Sequence, residues 1–102
     1  MNAKLKDKNI DVLFEAILTL QTVDECYMFF EDVCTVNEIK ALSQRFAVAK
    51  MLTEKKVYSD IVRETGASTA TISRVNRSLT YGNDGYDMVF QRIKTHTDLP
   101  SA

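Results

Sequence analysis

The sequence predicts an all-α fold of six helices, and three observations carry that prediction. Apolar residues recur with a 3.6-residue period along the chain, and no strand-like alternation persists anywhere. Three glycines and one proline in 102 residues leave few breaks in that pattern. Residues 22–25 and 35–38 both read Thr-x-x-Glu, a capping box in which hydroxyl and carboxylate each satisfy a free backbone amide at a helix start. A chain of this size that is 45% hydrophobic and 26% charged has material for one modest core and is not disordered.

The first helix is expected at about 9–20, with Ile10, Leu13, Phe14, Ile17 and Leu18 on one face. The second opens at the Thr22 capping box and runs to about 33. The third and longest opens at the Thr35 box and runs to about 54, with Ile39, Leu42, Phe46, Ala49 and Leu52 as its buried stripe. Two short helices follow, near 58–65 and 68–80. Tyr81-Gly82-Asn83-Asp84 breaks the chain. Asp84 is then expected to cap a final helix to about 95, with Tyr86, Val89, Phe90 and Ile93 turned inward. Residues 1–96 form a single domain on this reading, and 97–102 a frayed tail.

The two short helices carry the functional signal. Ile61, Thr65, Ala67, Ile72, Val75 and Leu79 are spaced so that two crossed helices share a small core. Gly66 stands where the first must end, because a residue without Cβ takes the left-handed conformation that closes such a turn. Ser68 is placed to cap the second helix. At 100° per residue, Ile72, Val75 and Leu79 form one stripe; Ala70, Ser73, Arg74 and Arg77 fall on the opposite side, with Thr69 and Thr80 at one edge. An ordinary amphipathic helix with a solvated face would share that stripe. The agreement of turn, cap and face points instead to a helix-turn-helix whose second helix enters the DNA major groove.

Charge is divided along the chain. Residues 1–38 hold three Lys against eight Asp/Glu, and residues 39–94 hold ten Lys/Arg against five Asp/Glu, within a total of −1. An acidic and a basic half fit a domain with one DNA-facing side. Cys26 and Cys34 form no CxxC and the single histidine, His96, lies far along the chain, so a metal site is not expected and both cysteines read as reduced packing residues. No signal-peptide pattern or long apolar run is present, so a cytoplasmic protein without membrane partners is expected. No phosphate-binding glycine loop, His/Cys/Asp constellation or paired carboxylates suggest an enzyme.

The second helix is apolar around most of its circumference, through Val23, Cys26, Tyr27, Met28, Phe29, Phe30 and Val33. Such a helix needs cover on nearly all sides, which short helices of one chain do not supply. An interlocked homodimer solves this and presents two recognition helices to a palindromic site with half-sites about one helical turn apart.

Residues 35–52, TVNEIKALSQRFAVAKML, followed by 66–79, GASTATISRVNRSL, resemble the tryptophan-repressor superfamily, nearest the tryptophan-repressor-like YerC/YecD subgroup of Gram-positive bacteria. The similarity covers about 10–94. It implies a six-helix, intertwined homodimer that binds double-stranded operator DNA through the helices at 58–65 and 68–80. In the resembled repressor a corepressor lies between the long helix and the recognition helix. The matching positions here are Thr35, Arg45, Thr71, Arg74, Val75 and Ser78. Arg45 and Arg74 would grip a small anion, unless both simply pair with carboxylates such as Glu38. Val75 replaces a glycine against which the indole packs, and overpacking costs about 1–3 kcal/mol. A different small anion, or no effector, is therefore expected in preference to tryptophan.

The functional expectation is a sequence-specific DNA-binding regulator, a repressor acting as a homodimer. Ser59 and Thr69 would meet phosphates, with Ser68, Arg74 and Thr80 beside them; Ala70, Ser73 and Arg77 would address bases. Lys55 and Lys56 would add unspecific attraction. The alternative is a protein-interaction module that keeps the helix-turn-helix for docking, motivated by a recognition helix with two arginines and no lysine.

Overall fold

Four of the helices, opening at residues 8, 23, 36 and 69, begin where a side chain accepts from a free amide. The computed structural model describes residues 4–98, which form six α-helices and no strand. The chain divides into two units, residues 1–39 and 40–102.

In the leading unit, α1 spans Lys8–Ile17, capped by Asp7, whose carboxylate accepts from the Asn9 amide. It stops short of the expected 20. The Thr19 hydroxyl donates to the Ala16 carbonyl at 2.6 Å, and the Thr19 and Leu20 amides close i→i−3 bonds onto Ala16 and Ile17. A side chain that competes for a carbonyl, with a tightened last turn, ends the helix there. The second helix, α2, spans Val23–Val33 with Thr22 as N-cap. Thr22 Oγ1 accepts from the Glu25 amide at 3.1 Å, while Glu25 Oε1 accepts from the Gln21 amide at 3.0 Å, one residue earlier than a standard box. Phe29 and Phe30 meet edge to face at 5.6 Å. Neither α1 nor α2 has a fully buried residue.

Helix α3 spans Val36–Thr53. Its capping box is complete: Thr35 Oγ1 accepts from the Glu38 amide at 3.1 Å, and the Thr35 amide donates to Glu38 Oε1 at 2.8 Å. Those bonds, the backbone amide foremost, hold the Glu38 carboxyl below its ordinary value. At the far end, the Lys56 amide bonds the Met51 carbonyl and the Lys55 amide that of Leu52, with Lys55 left-handed at φ 64°. This is a Schellman closure with lysine where glycine is usual.

In the second unit, α4 spans Tyr58–Thr65, α5 spans Thr69–Tyr81 and α6 spans Gly85–Asp98. Its core is Val48, Ala49, Ile61, Ala67, Ile72 and Val75, with Met51, Leu52, Leu79, Tyr86 and Phe90 packed around it. The expected stripe on α3 is corrected here. Ala49 is buried and Leu52 half-buried, but Leu42 is 50% exposed and Phe46 is also exposed, while Val48, outside the stripe, is fully buried. Periodicity marks an apolar face; only the elements lying against it decide which part is covered.

Phe46, Tyr86 and Phe90 form an aromatic cluster, Phe46 and Phe90 being 5.0 Å apart. Of the inward set expected on α6, Tyr86 and Phe90 are half-buried, whereas Val89 and Ile93 remain exposed. Asp84 departs from the expected cap. It is left-handed at φ 61°, and its backbone carbonyl, not its carboxylate, accepts from the Met88 amide at 3.0 Å. Helix α6 also continues past 95, so Thr97 and Asp98, expected in a frayed tail, are helical. The expectations for residues 99–102 and for the His96 side chain lie outside what is described.

Candidate nucleic-acid interface

The turn between α4 and α5 is fixed by small residues. Gly66 takes φ +70°, a conformation strained for any residue with Cβ, and its amide closes onto the Val62 carbonyl at 2.9 Å. The Thr65 hydroxyl donates to the Ile61 carbonyl at 2.7 Å and accepts from the Ala67 amide at 3.1 Å. Gln44 on α3 donates from Nε2 to the Thr65 carbonyl at 3.1 Å, tying the turn to the long helix. Gln44 carries no periodicity or capping signal, so sequence reasoning gave it no role.

Ser68 caps α5 as expected: its Oγ accepts from the Thr71 amide at 3.1 Å and donates to Thr71 Oγ1 at 3.1 Å. Ile72 and Val75 are 0% and 2% exposed, Ile61 and Ala67 are buried with them, and Thr65 and Leu79 are half-buried. The expected shared core is therefore present.

The opposite side of α5 is open. Thr69, Ala70, Ser73, Arg74, Arg77 and Thr80 are all exposed. Thr80 donates its hydroxyl to the Asn76 carbonyl at 3.0 Å, which leaves its oxygen free only to accept. Neither Arg74 nor Arg77 makes an ion pair among the described residues, whereas Arg63 on α4 is held by Asp60 at 3.0 Å. Two uncompensated guanidinium groups beside small residues suit an anionic partner approached closely. Ser59 is exposed in the first turn of α4, where Val57 supplies no side-chain cap. The Asp60 amide closes onto the Val57 carbonyl at 3.1 Å, and the Tyr58 and Ser59 amides ahead of it are left to solvent or an incoming anion. Lys55 and Lys56 precede that turn and are also exposed. Tyr81, expected in the break that follows this helix, is instead the last residue of α5 and is 81% exposed.

The positions matched to an effector pocket are distributed differently. Thr71, Arg74, Val75 and Ser78 share α5, but the Val75 side chain is in the core, and Thr71 is half-buried and bonded to Ser68. Arg45 is exposed and donates from Nε to the Ala41 carbonyl at 3.3 Å. Thr35 belongs to the leading unit and is engaged in its capping box. Glu38 is held there too, so the carboxylate named as a partner for the arginines is bonded to Thr35 instead. Ser78 alone of this set lines an open cleft of about 440 Å³, with Phe46, Gly82, Asn83, Gly85, Tyr86 and Val89. Among the described residues no group of three or more His, Cys, Asp or Glu is placed to hold a metal, and no helix is long and apolar enough to cross a membrane.

Residues 8–94 match the family model described as Trp repressor protein. The chain is 56% identical over 99 residues to the uncharacterized protein YerC of Bacillus subtilis (strain 168), covering 96% of this chain and 95% of that protein. A crystal structure of a TrpR-like protein from Eubacterium eligens is 63% identical, with a TM-score of 0.89 over 98% of this chain and 100% of that one. A second, of a proposed Trp repressor from Staphylococcus aureus, is 57% identical, with a TM-score of 0.87 over 89% of this chain and 91% of that one.

Proposed function

The chain belongs to the Trp repressor family of DNA-binding regulators, and from that premise we propose that it is a homodimeric repressor reading a palindromic operator. The observation that carries the reading is the exposed line of small residues and unpaired arginines on α5, opposite the buried Ile72 and Val75. Ala70 and Ser73 let the backbone approach base edges, and Arg77 reaches a guanine edge or an adjacent phosphate. Ser59, Ser68, Thr69, Arg74 and Thr80 set the register on the backbone. The exposed apolar residues of α1 and α2, Leu13, Phe14, Tyr27 and Met28 among them, supply the shared core of the dimer. The two-fold axis then sets half-sites about 34 Å apart.

The test is a binding titration on duplexes selected from a random pool, repeated across salt. Affinity should fall steeply with salt, since each neutralised phosphate contributes about one unit of slope. Arg77→Ala should cost about 1–3 kcal/mol and relax preference at one base pair if it reads guanine. Equal affinity for every duplex would remove the sequence-specific reading. A defined protein partner bound without any DNA would favour the docking-module alternative.

Regulation by a small anion between Arg45 and Arg74 is the remaining part of the reading. Both guanidinium groups are exposed and free of ion pairs among the described residues. A thermal-shift screen of amino acids and aromatic acids tests it, because a ligand that prefers the folded state raises the melting temperature. A large shift with L-tryptophan would contradict the argument from Val75.

A further inference from the structure

The open line on α5 ends in a residue to which the proposed reading gives no role. Ala70, Arg74, Arg77 and Tyr81 recur at i, i+4, i+7 and i+11, so all four lie along one side of the helix. Tyr81 is the last helical residue and is 81% exposed. Its hydroxyl has no hydrogen-bond partner and its ring meets no other ring among the described residues, whereas Tyr86 stacks on Phe90. The backbone beneath it is held at the helix end. The Gly82 amide closes onto the Ser78 carbonyl at 2.9 Å, and a Cβ at Gly82 would overlap that same carbonyl oxygen. The chain therefore turns away immediately after the ring.

Length decides what the ring meets. At about 1.5 Å per residue, Tyr81 stands roughly 16 Å along the axis from Ala70, and a helix-turn-helix contacts base edges with the N-terminal residues of its second helix. When the small residues at the start of α5 face base edges, the far end of the line lies over the groove wall, which is sugar and phosphate. The unpaired Arg74 and Arg77 on the same side favour an anionic neighbour there. We infer that Tyr81 is a phosphate-contacting residue of the interface, its Oη donating to a phosphate oxygen while the ring covers the adjoining deoxyribose. This rests on the DNA-binding reading of α5.

The experiment uses the full chain and duplexes selected on the wild-type protein. Affinities are measured at several salt concentrations for wild type, Tyr81→Phe and Tyr81→Ala, with melting temperature and mass in solution followed in parallel. Tyr81→Phe should weaken binding about three- to tenfold and Tyr81→Ala about thirtyfold. Both losses should be equal on the selected site and on its single-base variants, with the salt slope unchanged, because a hydroxyl displaces no counterion. Melting temperature and mass should not move. Wild-type affinity in Tyr81→Ala overturns the inference while leaving the DNA-binding reading intact. So does a loss concentrated at one base pair, which would make Tyr81 a base reader, or a changed mass, which would make it a contact between copies. A wild-type protein that binds no duplex removes the underlying reading and this inference with it.

Discussion

The leading helices and the helix-turn-helix draw on the same kinds of residue and end in opposite states. Along α1 and α2, Leu13, Phe14, Val23, Tyr27 and Met28 are exposed and nothing is fully buried. Along α4 and α5, Ile61, Ile72 and Val75 are closed off from water. The difference lies in distribution. Helix α5 gathers Ile72, Val75 and Leu79 into one stripe and, apart from Ala70 and Tyr81, fills the rest with Ser, Thr, Asn and Arg, so one covered side completes it. Helix α2 spreads apolar residues around its circumference, and no single neighbour can cover that. One region is finished within the chain; the other leaves apolar surface that the dimer proposed above would cover.

The largest test of this contrast breaks the proposed dimer. Phe14 and Met28 are 53% and 68% exposed. In a protein that works as a monomer, Phe14→Glu with Met28→Glu would shift stability by no more than about 1 kcal/mol, as surface changes do. In the proposed dimer the pair should halve the mass in solution and abolish operator binding, read by sedimentation and by titration. Unchanged mass and binding would erase the distinction between the two regions.

Next in size is the finished core. Ile72→Ala should cost about 2–5 kcal/mol, lowering the melting temperature by roughly 10 °C or more. A loss under about 1 kcal/mol would mean that the helix-turn-helix is less closed than its burial implies.

The two turns that frame α5 sharpen the comparison further, because their glycines serve different needs. A Cβ at Gly82 meets the Ser78 carbonyl oxygen, whereas Gly66 has open space but φ +70°. Gly82→Ala should cost about 1–3 kcal/mol through overlap, and Gly66→Ala about 1 kcal/mol through backbone strain. Asn at 66 should restore much of that loss, since it tolerates the left-handed region, while Asn at 82 should not. Chemical denaturation of the four variants decides this.

The smallest effect belongs to the capping box at the start of α3. Thr35 holds the folded-state value of Glu38 below its ordinary 4.5. The contribution is therefore present above that ordinary value and is lost as pH falls through the lowered folded-state one. Melting temperatures of wild type and Glu38→Gln should differ at neutral pH and converge in acid. A gap that persists in acid would show that charge on Glu38 plays no part.

Much of this was legible locally. The capping boxes at Thr22 and Thr35, the Gly66 turn, the Ser68 cap and the stripe Ile61, Ala67, Ile72 and Val75 all depend on residues within a few positions of each other. Capping and i, i+3, i+4 spacing are therefore enough to find them. The open face of α5 follows from the same wheel, because a helix that buries one stripe must expose the other. Boundaries were less legible. Helix α1 ended early because the Thr19 hydroxyl competes for a carbonyl, and Asp84 took a left-handed backbone instead of capping with its side chain.

By itself, then, the order of residues determined six helices, a closed helix-turn-helix and an exposed arginine-bearing face. Tertiary structure decided that Val48 is covered while Leu42 is not, that Gln44 holds a turn 21 residues away, and that Val75, matched both to a core stripe and to an effector pocket, has its side chain in the core. It also left Tyr81 standing clear at the end of α5. Helical period and caps are written in neighbouring residues. Which apolar face finds cover depends on segments far apart in the chain, and no local pattern encodes that.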